Sequence, residues 1–170
     1  LRYGENWHQA AKVYRQRGAA LSLADMDVLG GKALSYNNLV DIQAAMECVR
    51  DLGSSSCAII KHTNPCGLAS GKDQAAVFAA AWDGDPVSAF GSVIAFDQPV
   101  DEPALRFLDL HQDKVRDRKF VEAVIAPDFS DAAIDYLQKQ LKESDGKWDV
   151  PGPPAFLNKA KPRMSGGPLK

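Results

Sequence analysis

Residues 39–61, LVDIQAAMECVRDLGSSSCAIIK, contain two hydrophobic periods in succession. Apolar side chains recur at 39, 42, 45, 46, 49 and 52, the three- and four-residue spacing of one helix face. Gly53 stops that helix. Cys57 to Lys61 is then an apolar run too short for a helix and rich in isoleucine, which reads as a buried strand. A helix feeding a short buried strand is the repeating phrase of an α/β domain, and the chain repeats it. Residues 74–82 are alanine-rich and helical, SVIAF (92–96) is a second strand, and VEAVIA (121–126), closed by Pro127, is a third. Helices are expected over 105–115 and over 131–141, the latter with Ser130 as its N-cap. This alternation predicts a layered α/β fold.

Outside these elements the pattern weakens. Residues 10–24 read as an extended segment or short strand, and 31–38 as a loop. DVPGPPAFLNKAKPRMSGGPLK (149–170) holds five prolines and three glycines, and proline both removes backbone donors and restricts its predecessor. The expected organisation is a domain over 1–145 and an extended tail or linker, outside the core, over 146–170.

The totals exclude several classes. With 170 residues, 45% of them hydrophobic, the chain suits one domain with its own core. A net charge of −2 gives no basic field for nucleic acid, and no apolar run approaches membrane-spanning length. Cys48, Cys57 and Cys66 are too few and too irregularly spaced for a disulfide framework, so reduced thiols in a cytoplasmic protein are expected. The opening from Arg2 is polar and carries no signal-peptide pattern. The chain starts on Leu1 and enters a dense motif at once, as expected of a piece of a longer polypeptide.

Three stretches could carry chemistry. In IIKHTNPCG (59–67) the strand delivers Lys61 and His62 side by side, and Asn64-Pro65 with Gly67 reads as a rigid turn. For the dipeptide alone, a solvated lysine beside a hydrogen-bonded loop histidine is the plainer account. At the end of a buried strand, however, an imidazole can accept a proton near neutral pH while the adjacent ammonium stabilises developing negative charge. That pair suits proton transfer coupled to acyl or formyl transfer. The pattern of a deaminase-type zinc site is not met, because Pro65-Cys66 is followed by no second cysteine and His62 by no glutamate two residues on. Cys66 then reads as a small residue in a turn.

The second stretch is LRYGENWHQ (1–9), where the Arg2 fork could clamp a phosphate; an exposed terminal arginine is the plainer account. The third, DPVSAFGS (85–92), offers Gly91 for close backbone approach to a ligand, or is simply a turn into a strand. No GxxxxGK[ST] or GxGxxG occurs.

RYGEN-x-HQ, GKxLSYNN followed by Asp41, KHTNPCG and DPxSAFG-x-xIAF stand in that order. Together with VEAVIAP-x-FS they resemble the AICAR transformylase domain of the bifunctional AICAR transformylase/IMP cyclohydrolase family, from Leu1 to about Leu141. The resemblance implies formyl transfer from 10-formyltetrahydrofolate, as co-substrate, to the 5-amino group of AICAR, giving FAICAR in purine biosynthesis. It makes His62 the proton acceptor and Lys61 its electrostatic helper. It places Arg2, Tyr3, Asn37, Gly91 and Glu122 on substrate-binding positions.

It also implies a cytidine-deaminase-like fold, a mixed sheet flanked by helices, with no metal required, and a homodimer. Several departures stand out: Trp7 replaces the usual proline, Ser92 a frequent second glycine, and LHQDKVRDRK (110–119) reads as an insertion. The second half of the family domain, which supplies folate-binding groups, has no counterpart here. The chain is therefore expected to be the first half of that domain, active with a chain supplying the rest. The alternative is a non-catalytic nucleotide-binding module or degenerate remnant.

Overall fold

The computed structural model describes residues 1–18, 23–53, 55–108, 119–143 and 155–158. In chain order these form β1 (Asp27–Gly30), α1 (Tyr36–Leu52), β2 (Ser56–Lys61), β3 (Asn64–Ser70), α2 (Gln74–Trp82), β4 (Ser92–Phe96), α3 (Glu102–Leu105), β5 (Val121–Ala126), α4 (Asp131–Glu143) and β6 (Ala155–Asn158). One six-stranded sheet runs in the order β1-β6-β5-β4-β2-β3. β4, β5 and β6 are mutually parallel, whereas β2 is antiparallel to both β4 and β3, and β1 is antiparallel to β6. The fold is thus mixed α/β.

Both faces of the sheet are covered, which is why its central strands are continuously apolar rather than alternating. On one face α1 packs Ile42, Ala45 and Val49 onto Ala58, Ile60, Val93, Ala95, Ala123 and Ile125. On the other, α2, α3 and α4 enclose Cys57, Ile59, Ile94, Phe96 and Val124. Phe78 is the centre of that second layer, with edge-to-face contacts to Trp82, Phe96 and Phe107 at ring separations of 6.4, 5.4 and 5.0 Å.

The elements differ from the sequence expectation in four places. Helix α1 starts at Tyr36, inside the expected loop, because Ser35 and Asn38 form a capping box: the Asn38 N–H donates to Ser35 Oγ (3.3 Å) and the Ser35 N–H to Asn38 Oδ1 (2.9 Å). No strand forms in the described part of 10–24; a 3₁₀ turn covers Leu23–Asp25 and the strand starts at Asp27. The rigid turn read over Asn64–Gly67 is already strand β3. Pro65 is tolerated there because β3 is the sheet's outer edge and a bulge between Ile59 and Ile60 interrupts the ladder at its level.

Finally, the tail is not wholly outside the fold. Four proline-free residues, Ala155–Asn158, pair with β5 on one side and β1 on the other. The helix expected over 105–115 is described only to Leu108, as the end of α3 and a 3₁₀ turn at Arg106–Leu108; the rest lies outside the described residues. The structure matches the expected α2, β4 and β5 residue for residue, and Ser130 Oγ caps α4 by accepting from the Ala133 N–H at 3.2 Å.

Candidate active site

β2 ends where β4 and β5 begin, since β2 runs against them. Lys61, Gly91 and Glu122, far apart in sequence, are therefore brought to one end of the sheet. The connection from β2 to β3 is a two-residue hairpin, with Lys61 opposite Asn64 and His62-Thr63 at its tip. Both tip residues have positive φ, 52° for His62 and 62° for Thr63. Such a tip matches the twist of the strands but favours Asn-Gly, and a β-branched threonine is strained there. Left-handed backbone costs an L-residue roughly 1–2 kcal/mol.

The strain is held by side chains. The Asp41 carboxylate, on the second turn of α1, accepts the Thr63 N–H (2.8 Å) and the His62 N–H (3.3 Å). The His62 carbonyl accepts from Thr63 Oγ1 (2.6 Å) and Asn64 Nδ2 (2.8 Å). The imidazole itself is exposed on this fastened backbone.

Lys61 Nζ donates to the Phe90 carbonyl at 2.7 Å. That aims the ammonium at Gly91, where a Cβ would stand 4.0 Å from Nζ. Gly91 has φ 79°, and its N–H donates to the Phe120 carbonyl at 2.8 Å, so glycine's torsional freedom shapes the entry to β4. Glu122 faces the α1 side of the sheet. Its Oε2 forms an ion pair with Lys32, whose side chain is only 7% exposed, and accepts from Asn38 Nδ2 at 3.3 Å. Asn38 thereby joins the helix cap to Glu122.

The N-terminal segment is laid against the same end of α1. The Arg2 N–H donates to the Leu34 carbonyl (2.7 Å) and the Tyr36 N–H to the Tyr3 carbonyl (3.1 Å), while Asn37 Nδ2 donates to the Glu5 carbonyl (3.1 Å). Arg2 folds over Tyr3, its guanidinium 4.7 Å from the ring centroid and within 3.0 Å of the phenol oxygen. Asn37 and Asp41 are one turn apart on α1, so one helix face touches both the Arg2-Tyr3 segment and the His62 tip.

All seven candidates are thus connected through the first two turns of α1 and the starts of β4 and β5. Sequence reasoning missed Asp41, Lys32 and Asn38 as members of this cluster. The S-x-x-N capping signal could have identified Asn38; the other two meet partners far away in sequence, Thr63 and Glu122.

Burial foremost, then the Asp85 carboxylate, pushes the Cys66 thiol up against the opposing pull of Lys61, so Cys66 is a poor nucleophile. Among the described residues no group of three or more His, Cys, Asp or Glu is placed to hold a metal, and no helix is long and apolar enough to cross a membrane. Clefts of about 140 and 240 Å³ lie at the other end of the sheet, lined by Phe96, Asp97 and Pro127 and by Ser56, Lys72 and Asp101; none of the seven candidates lines either.

The sequence profile of the AICARFT/IMPCHase bienzyme family matches residues 1–144. The chain belongs to that family. The family belongs to purine biosynthesis. The match takes in the whole cluster and ends one residue past α4, before the Pro/Gly-rich stretch.

Proposed function

We propose that this chain carries the AICAR-formylating site of its family, transferring the formyl group of 10-formyltetrahydrofolate to the 5-amino group of AICAR. The amine is a weak nucleophile because its lone pair is delocalised into the imidazole ring of the substrate. His62 takes the amine proton as the new C–N bond forms, and Lys61 stabilises the negative charge that develops on the formyl oxygen. The bond from the formyl carbon to N10 of the folate then breaks, and N10 leaves with a proton. Arg2, Tyr3, Asn37, Gly91 and Glu122 hold the nucleotide, the Arg2 guanidinium suiting its phosphate.

The observation that carries this reading is the hairpin tip: a strained histidine, fastened on both sides of its backbone, beside a lysine aimed at Gly91. Strain of this kind persists only where surroundings enforce it, and it concentrates at functional sites.

In this reading the chain is the first half of a cytidine-deaminase-like domain in a cytoplasmic enzyme. Folate-binding groups come from a partner: a second copy, or a chain supplying the other half. The test is transfer of ¹³C-formyl to AICAR with that other half supplied, together with calorimetry of AICAR alone. AICAR binding at millimolar nucleotide is expected, as is a loss of about 10²–10⁴-fold in transfer for His62→Ala. Equal transfer by His62→Ala removes the base assignment, and binding without transfer leaves a nucleotide-binding module.

A further inference from the structure

The chemistry assigned to His62 uses an imidazole, but the structure invests its contacts in the peptide groups that carry it. Two consecutive L-residues, one of them β-branched, occupy left-handed backbone at His62 and Thr63. Neither is a residue that a two-residue hairpin selects for itself. The restraint on the two N–H groups comes from outside the hairpin, from a single carboxylate on α1, with one oxygen for each: Asp41 Oδ2 to His62 and Oδ1 to Thr63. The backbone φ at residue 62 fixes the direction of its Cα–Cβ bond, and hence where the ring points. One turn earlier on the same helix, Asn37 fastens the segment that carries Arg2 and Tyr3.

We infer that Asp41 is a positioning residue for His62. By holding the tip of the β2–β3 hairpin in left-handed backbone, its carboxylate aims the imidazole and fixes it relative to the Arg2-Tyr3 segment. The inference rests on the reading of His62 as proton acceptor for its chemical purpose, but not for its geometry. Asp41 itself touches no reacting atom in this account. The two hydrogen bonds are charge-assisted, the stronger kind, and they act on backbone that glycine and asparagine adopt far more readily than histidine or threonine.

The experiment is NMR on the full chain in wild type, Asp41→Ala, Asp41→Asn and the double variant Asp41→Ala/Thr63→Gly. In Asp41→Ala the Thr63 amide is expected to exchange with solvent at least about tenfold faster, as loss of a charge-assisted hydrogen bond implies. The HN–Hα couplings of His62 and Thr63 should move away from left-handed values, with β4 and β5 amides protected as in wild type. Asp41→Asn keeps one acceptor oxygen and should fall between the two, which serves if the alanine variant folds poorly.

Thr63→Gly adopts positive φ without help, so it should restore the His62 coupling in the Asp41→Ala background, a rescue that a purely structural role would not give. Unchanged Thr63 exchange and couplings in both single variants overturn the inference. Addition of AICAR to wild type separates this from the functional reading. If the His62 ring signals do not respond to millimolar nucleotide, the proton-acceptor role fails while the hold of Asp41 on the tip stands.

Discussion

Gly67→Ala tests how the candidate hairpin is held against the core. A Cβ built on Gly67 would stand 1.7 Å from the Ala81 carbonyl oxygen, and one on Gly84 2.8 Å from the Cys66 carbonyl. The end of α2 and strand β3 are thus in backbone contact, with no flexible side chain to give way. An ordinary carbon–oxygen contact needs roughly 3.3 Å, so the end of α2 would have to lift by roughly 1.5 Å. Trp82 and Phe78, 6% and 0% exposed, sit on that helix, and lifting it opens space beneath them.

Overpacking costs about 1–3 kcal/mol where side chains can adjust. Here the backbone must move, and a loss of at least ~3 kcal/mol is expected, a large share of the roughly 5–15 kcal/mol that stabilises a domain. Gly53→Ala is the control. Gly53 has φ 81° and ψ −159°, backbone that glycine alone enters readily, but no described atom within 4 Å of its Cβ position, so alanine there meets torsional strain alone, about 1–3 kcal/mol. Urea unfolding, with similar m-values for the three proteins, measures both costs. If Gly67→Ala costs no more than Gly53→Ala, the close packing of α2 on β3 does not govern this part of the fold.

Replacing the hairpin tip, His62→Asn with Thr63→Gly, should raise stability by about 1 kcal/mol in urea unfolding, since Asn-Gly suits positive φ and relieves the strain on both residues. The same variant should lose formyl transfer by about 10²–10⁴-fold, as expected for His62→Ala. Ser92 Oγ is buried without a hydrogen-bond partner among the described residues, so Ser92→Ala should stabilise the chain by about 1 kcal/mol, and a loss of that size would mean the hydroxyl is satisfied. The thiols should report their surroundings on alkylation at pH 8. Cys57, fully buried and with its thiol pushed well up, stays unmodified in the native state; Lys61→Met removes the charge that draws the Cys66 thiol down, and so slows Cys66 further. Mass spectrometry of the labelled peptides reads both effects.

Periodicity served best where one element's burial decided its form. α2, β4 and β5 are short and strongly apolar, and could be read directly. It served least where a side chain overrides propensity. The capping box moved the start of α1 into what reads as loop, and the proline in β3 is compatible with a strand only because that strand lies at the edge. The hairpin tip was hidden for a related reason: His-Thr carries none of the usual turn chemistry, while Asn-Pro next to it carries a great deal. Lys61 and His62 were legible because they adjoin in sequence. Asp41 and Lys32 were not, because each acts on a partner that only the folded sheet brings near, the Thr63 amide and the Glu122 carboxylate.

The strand order has a consequence for how the chain is made. Of the described strands β1 leaves the ribosome first, and in the sheet it pairs with β6, the last of them. The hairpin and its hold on α1 span residues 41 to 63, so that geometry can be set early in synthesis. Glu122 reaches Lys32 across 90 positions, and the sheet is completed only when β6 slides between β5 and β1. A nascent chain would thus carry a finished hairpin tip on an unfinished sheet, with β1 waiting on residues not yet translated. Closure of that long loop, rather than formation of the tip, would set the pace of folding.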